Sequence, residues 1–200
     1  MVEECTTNGV GIGRWDGSMM DFQLIALPRS ATTWAANWLT YDGAICYHDP
    51  LSYRTLEDLD AHEPGREWGV SCTGLWIFDE WLASYDCPRV ILERDIVEIN
   101  DSLTDIGFGY LPAWCELKFK ELPGKRFHYS ALFDPDGAAE IWSILRKTKF
   151  DVERHKILCE MAIQPDFSKW SPDMEIMAHL LKDTHRYHEK YQEKLICLGS

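Results

Sequence analysis

Residues 21–39 read DFQLIALPRSATTWAANWL, passing from a short apolar run to small hydroxylated residues, and then to a segment where Trp34, Ala35, Trp38 and Leu39 recur at helical spacing. The pattern predicts a strand closed by Pro28, a tight loop and a helix. The loop places Arg29, Ser30, Ala31, Thr32 and Thr33 at the start of that helix. Backbone N–H groups, the positive helix end, hydroxyls and one guanidinium then converge on one spot, which suits a phosphate or a sulfonate. The same hydroxyls would also serve an ordinary capped helix start. The two glycines and the lysine of a Walker A sequence are missing, so ordinary ATP hydrolysis is not indicated.

Outward from this stretch, strands and helices alternate. Residues 43–47 form a second strand ending in His48-Asp49-Pro50, and 53–62 a short helix. Residues 68–73 form a third strand, followed by a helix with Leu75, Ile77, Phe78, Trp81 and Leu82 on its apolar face. The run Arg89-Val-Ile-Leu-Glu-Arg94 suits a strand covered on both faces, and 95–111 reads as a helix. A fifth strand over 127–133 precedes the turn Asp134-Pro135-Asp136-Gly137, whose aspartate caps a helix over 138–147. The expected fold is α/β, a three-layer sandwich around a mostly parallel five-stranded sheet. Ligands of such sheets sit at the C-terminal strand ends. The Arg29 loop, His48-Asp49, Ser71 with Thr73, and Arg94 all fall there.

The ends of the chain are read differently. Residues 1–20, with Gly9, Gly11, Gly13 and Gly17, read as a flexible arm and not as a dinucleotide-binding motif, since no strand precedes them. Residues 21–200 read as a single domain with a C-terminal helical segment, including a long helix over 174–196. On that helix His185 and His188 lack a reliably spaced carboxylate or thiolate, so no metal is expected.

A formal charge of −13 argues against nucleic acid or an anionic membrane surface as partner, because either would require a net basic face. An anionic nucleotide must then be held by local cations working against the overall field, and Arg29 and Arg94 stand out for this. Lys118, Lys120, Lys125 and Arg126 form a local basic group, either a solvated surface or a contact for an anionic ligand. Seven scattered cysteines without a C-x-x-C pair read as reduced thiols, which with no leader or spanning segment predicts a cytoplasmic protein.

Arg94 closes the fourth strand, and Ser102 lies eight residues on, about two helical turns into the next element. A guanidinium reaching along that helix would let both grip one phosphate. At this point two motifs acquire a common reading. Pro28-Arg29-Ser30-Ala31-Thr32-Thr33-Trp34 resembles the P-[KR]-S-G-T-T-W loop of the sulfotransferases, with Ala31 where the family has glycine. Arg94-Asp95-x₆-Ser102 resembles the family's R-[ND]-P-x-D-x-x-x-S segment, with Ile96 in place of proline. Residues 129–145, YSALFDPDGAAEIWSIL, also look like the family's late strand, turn and helix.

The resemblance implies a P-loop NTPase-like topology and the donor 3′-phosphoadenosine-5′-phosphosulfate, with a small-molecule or carbohydrate acceptor and no metal. It assigns Arg29, Ser30, Ala31, Thr32 and Thr33 to the 5′-phosphosulfate, Trp34 to the adenine, and Arg94 with Ser102 to the 3′-phosphate. The family's C-terminal R-K-G-x-x-G-D-W-K lid is absent, leaving either residues 118–126 as cover or a more open site. Arg29 would stabilise the leaving oxygen, and His48 or Asp49 would deprotonate the acceptor. On an extended segment only one of these neighbours can face the donor, and an arginine-lined pocket keeping a carboxylate ionised favours Asp49. The alternatives are a degenerate P-loop phosphotransferase and a nucleotide-binding protein without turnover.

Overall fold

The computed structural model describes residues 20–161. The N-terminal arm, the helix expected over 174–196 and the His185/His188 pair lie outside the described residues. Five strands, β1 (Phe22–Ala26), β2 (Ile45–His48), β3 (Trp68–Cys72), β4 (Arg89–Glu93) and β5 (Lys125–His128), form one sheet in the order β2-β3-β1-β4-β5. All four pairings are parallel, and Leu24 of β1 lies opposite Ser71 on one side and Val90 on the other.

The helices are α1 (Thr32–Leu39), α2 (Leu56–Asp60), α3 (Asp79–Ala83), α4 (Ile96–Asp105), α5 (Ala113–Glu121), α6 (Pro135–Leu145) and α7 (Val152–Glu160). Successive strand residues point to opposite faces, so each strand supplies two cores. Phe22, Leu24, Ala26, Val90 and Leu92 pack with Trp34 and Trp38 of α1 and Trp142 of α6. Ile25, Val70 and Ile91 face the other way, against Leu59 of α2, Leu82 of α3, Ile99 of α4 and Phe119 of α5. This is the expected three-layer α/β arrangement. It requires glycine at position 69, where a Cβ would stand 2.3 Å from the Phe22 ring.

Local signals set the element ends, and several differ from the sequence expectation. Strand β2 begins later, at Ile45, and includes His48. The helix expected over 53–62 is the shorter α2, started by a capping box in which the Thr55 hydroxyl accepts from the Asp58 amide while the Asp58 carboxylate accepts from the Thr55 amide. The helix expected over 95–111 is α4 alone, with Gly107 in the left-handed region (φ 81°) two residues past its end. Strand β5 starts at Lys125, and Tyr129–Leu132, expected to continue the strand, is a 3₁₀ turn begun where His128 accepts from the Ser130 amide. Helix α6 starts at Pro135, with Asp134 accepting from the Gly137 amide at 2.9 Å.

Among the described residues no helix is long and apolar enough to cross a membrane, and no group of three or more His, Cys, Asp or Glu is placed to hold a metal ion. The five described cysteines form no disulfide, and burial pushes the thiols of Cys46 and Cys72 well up, out of reach of ordinary thiolate chemistry.

Candidate functional site

The loop from β1 to α1 turns sharply because Arg29 (φ 66°) and Ala31 (φ 61°, ψ 25°) both adopt the left-handed conformation. Glycine takes that conformation freely, and alanine only at a cost. Ala31 is also the N-cap residue of α1 and has no side-chain oxygen, so no side chain caps the helix start. Ser30 beside it is fully buried, and its hydroxyl has no hydrogen-bond partner among the described residues. The loop is tied from below by Ser71 on β3, whose Oγ donates to the Thr32 carbonyl at 2.9 Å. The result is an uncapped helix N-terminus with an orphaned hydroxyl at the C-terminal edge of the sheet, the local demand that an anion meets.

The end of β4 adds a second cation, Arg94. Arg94 donates from Nη1 to the Arg29 carbonyl, and the Arg29 Nε donates to Ser102 Oγ at 2.9 Å. The sequence reading had Arg94 reaching along α4 toward Ser102. Here the guanidinium bonded to Ser102 is that of Arg29, and Arg94 instead turns back to the loop. Its Nε donates to Glu98 at 3.1 Å and its guanidinium lies 4.7 Å from the centre of the Tyr129 ring. Glu98 and Tyr129 were missed as site residues. Glu98 was within reach of sequence reasoning as the fourth residue after Arg94, whereas Tyr129 comes from a different strand end.

Strands β2 and β3 supply the other wall. His48 Nε2 lies 3.2 Å from Thr32 Oγ1, from Thr33 Oγ1 and from Asp49 Oδ2. The expectation that only one of His48 and Asp49 could turn to the site assumed an extended segment. Asp49 is in the left-handed region (φ 39°, ψ 56°), which swings its carboxylate back against the imidazole. The other carboxylate oxygen accepts from the Thr73 amide at 2.6 Å and the Thr73 hydroxyl at 3.0 Å. The four groups expected at the strand ends are thus joined by hydrogen bonds: the Arg29 loop to Arg94 and to Ser71, His48 to the α1 hydroxyls, and Asp49 to Thr73.

Trp34 is not presented at this surface. It is buried, within 5.1 Å of Phe133 and 5.7 Å of His155 ring to ring, and its Nε1 donates to the Leu158 carbonyl. Phe133, which covers it, is 43% exposed and is the aromatic ring offered to solvent there. The basic group is spoken for. Lys118 pairs with Asp79, Lys120 with Glu116, Lys125 with Glu140 and Arg126 with Glu93, Arg126 also donating to the Phe119, Lys120 and Leu122 carbonyls. It is the solvated, paired surface of α5 and β5.

Fold and site together define an α/β protein whose first strand-to-helix turn, at the C-terminal edge of a parallel sheet, carries a helix start without a side-chain cap from Ala31 and a buried, unpartnered hydroxyl among the described residues. Compared with known proteins, the chain matches no family model, no curated protein and no solved structure.

Proposed function

We propose that the protein binds 3′-phosphoadenosine-5′-phosphosulfate and transfers its sulfuryl group to a hydroxyl or amine of a small-molecule or carbohydrate acceptor, as a sulfotransferase with P-loop-like topology. The observation that carries this reading is the meeting of the two motifs on which the resemblance rests. Arg94 and Ser102, 65 and 73 residues from Arg29, both hydrogen-bond to it. A lone phosphate-binding loop is common to many chemistries. A second cationic segment docked on it suits a ligand with two separated phosphate groups.

The residues present fit that ligand. The uncapped start of α1, the Ser30 hydroxyl and Arg29 would hold the 5′-phosphosulfate, and Arg94 with Ser102 the 3′-phosphate. With Trp34 buried, Phe133 is the better-placed aromatic for the base. In the transfer, the acceptor oxygen or nitrogen forms a bond to sulfur while the bond from sulfur to the bridging oxygen breaks. The electron pair leaves on the 5′-phosphate, where Arg29 stabilises it. The acceptor proton goes to His48. Asp49 is the weaker candidate because Thr73 already engages one of its oxygens twice. Its other oxygen lies 3.2 Å from Nε2, where it would stabilise the imidazolium that forms when His48 takes the proton.

A second reading, nucleotide binding without turnover, is favoured by Ala31, whose methyl group stands in the loop that must approach the sulfonate. Calorimetry with 3′-phosphoadenosine-5′-phosphate and with AMP, followed by a labelled-sulfate transfer assay over an acceptor panel, separates the readings. Preference for the 3′-phosphorylated nucleotide, lost in Arg94→Ala by about 1.5–3 kcal/mol, together with transfer, is the expected result. Preference without transfer selects the second reading, and equal affinity for the two nucleotides overturns both.

A further inference from the structure

Arg94 is held on three sides. Its Nη1 donates to the Arg29 carbonyl, its face lies over the Tyr129 ring, and its Nε donates to Glu98 Oε2 at 3.1 Å. A guanidinium binds a phosphate side-on through Nε and the neighbouring Nη2, or end-on through its two Nη groups. In Arg94 the end-on edge is half taken by a backbone carbonyl fixed in the loop, and the side-on edge by a carboxylate. The two occupants are not equivalent. The carbonyl cannot leave without unwinding the Arg29 turn, whereas the Glu98 side chain is 52% exposed and free to swing into solvent. A half-exposed ion pair of this kind is weak enough for a dianion to displace.

We infer that Glu98 sets the affinity of this site for a 3′-phosphate: its carboxylate occupies the side-on edge of Arg94 and must be displaced by the incoming phosphate dianion, so that it weakens binding of ligands that carry that phosphate and leaves ligands without it unaffected. The inference rests on the functional reading above, since it takes Arg94 as a phosphate ligand. It accounts for a feature that reading leaves unexplained, namely a negative charge built against the cation of an anion site in a chain already at −13. Removing the carboxylate leaves Arg94 still held by the Arg29 carbonyl and Tyr129, so the guanidinium stays in place with its side-on edge open.

The test is calorimetry on the full chain with 3′-phosphoadenosine-5′-phosphate and with AMP, for the unaltered protein, Glu98→Gln and Asp101→Asn. Asp101, exposed on the same helix, controls for the change in net charge. Glu98→Gln is expected to bind the 3′-phosphorylated nucleotide about two- to five-fold more tightly, with AMP changed no more than in Asp101→Asn. Equal tightening for both nucleotides, equal tightening in Asp101→Asn, or weakened binding in Glu98→Gln overturns the role of Glu98 alone. Lack of preference for the 3′-phosphorylated nucleotide in the unaltered protein overturns the functional reading and this inference with it.

Discussion

At the C-terminal end of α1 the carbonyls of Asn37, Trp38 and Thr40 accept from Arg154 and that of Leu39 from Arg146, whereas among the described residues no side chain caps its N-terminal end and the buried Ser30 hydroxyl has no partner. Both ends carry the same kind of demand, four free backbone groups and half a unit of helix-dipole charge. One end is answered within the chain, by two arginines from α6 and α7. The other finds no such answer among the described residues. The cations divide the same way. Every member of the 118–126 group has a carboxylate partner, while among the described residues Arg29 has none and donates only to a neutral hydroxyl. Of the two readings the sequence left open for residues 118–126, the carboxylate partners favour the solvated surface, whereas the hydrogen-bonding demand left unmet among the described residues lies at the Arg29 loop.

The comparison can be broken most severely at Arg146. It is 3% exposed, bridges Glu67 to the Leu39 and Tyr41 carbonyls, and leaves a partly buried carboxylate and two carbonyls unpaired when removed. Arg146→Ala is expected to lower stability by about 3–5 kcal/mol in urea denaturation. Nucleotide preference should survive in whatever fraction remains folded. The opposite end should behave in the opposite sense. On the proposed function, Arg29→Ala should lower sulfuryl transfer by about 10²–10³-fold, the scale for losing one stabilising donor, while moving urea-derived stability by no more than about 0.5 kcal/mol. If Arg29→Ala unfolds the protein as readily as Arg146→Ala does, both ends of α1 are structural and the contrast disappears.

A smaller effect sharpens the contrast. Ala31 carries a Cβ at φ 61°, so Ala31→Gly should relieve strain and raise stability by about 1 kcal/mol, where glycine in an ordinary helix position would lower it. Thermal denaturation reads the sign directly. The smallest effect concerns the answered end and its dependence on pH. Asp151 caps α7, which carries Arg154; hydrogen bonds from the Arg154 amide and then from Tyr41 hold its carboxyl below the usual carboxylate range. A carboxylate whose folded pKa is depressed contributes stability above its unfolded pKa and loses it as pH falls through the folded value. The stability difference between the unaltered protein and Asp151→Asn should thus be present at pH 7 and vanish at strongly acid pH, as urea titrations at the two extremes would show.

How much of this was legible in the chain itself depends on the range of the signal. Residues 21–39 specified their own strand, loop and helix, because hydrophobic period, a closing proline and hydroxylated residues act within a few positions. The alternation of apolar runs with helical patterns likewise specified the parallel sheet, and with it the edge where Arg29, His48, Ser71 and Arg94 gather. What escaped was set by single backbone angles or by partners distant in sequence. Asp49 at φ 39° reverses the side-chain alternation that an extended strand imposes, and so joins His48 to Asp49. Thr73 was read as a strand-end residue, but nothing in its neighbourhood says that it grips Asp49, 24 residues away.

By itself, then, the sequence determined the layers, the order of elements and the identity of the loop, since each follows from side-chain periodicity and from the few conformations that proline and the small hydroxylated residues favour. Tertiary structure alone decided which of the polar groups were left wanting. Trp34 has the spacing of a helix residue whether it faces a ligand or the core, and only the arrival of Phe133, His155 and Leu158 buries it. Neither Lys118 nor Arg29 has a carboxylate partner that sequence spacing reveals, and packing gives one to Lys118 but, among the described residues, none to Arg29. Hydrogen-bond satisfaction is a property of the assembled surroundings, because donors and acceptors must come within about 3 Å of each other, and it is the fold that brings residues from different strands to that distance.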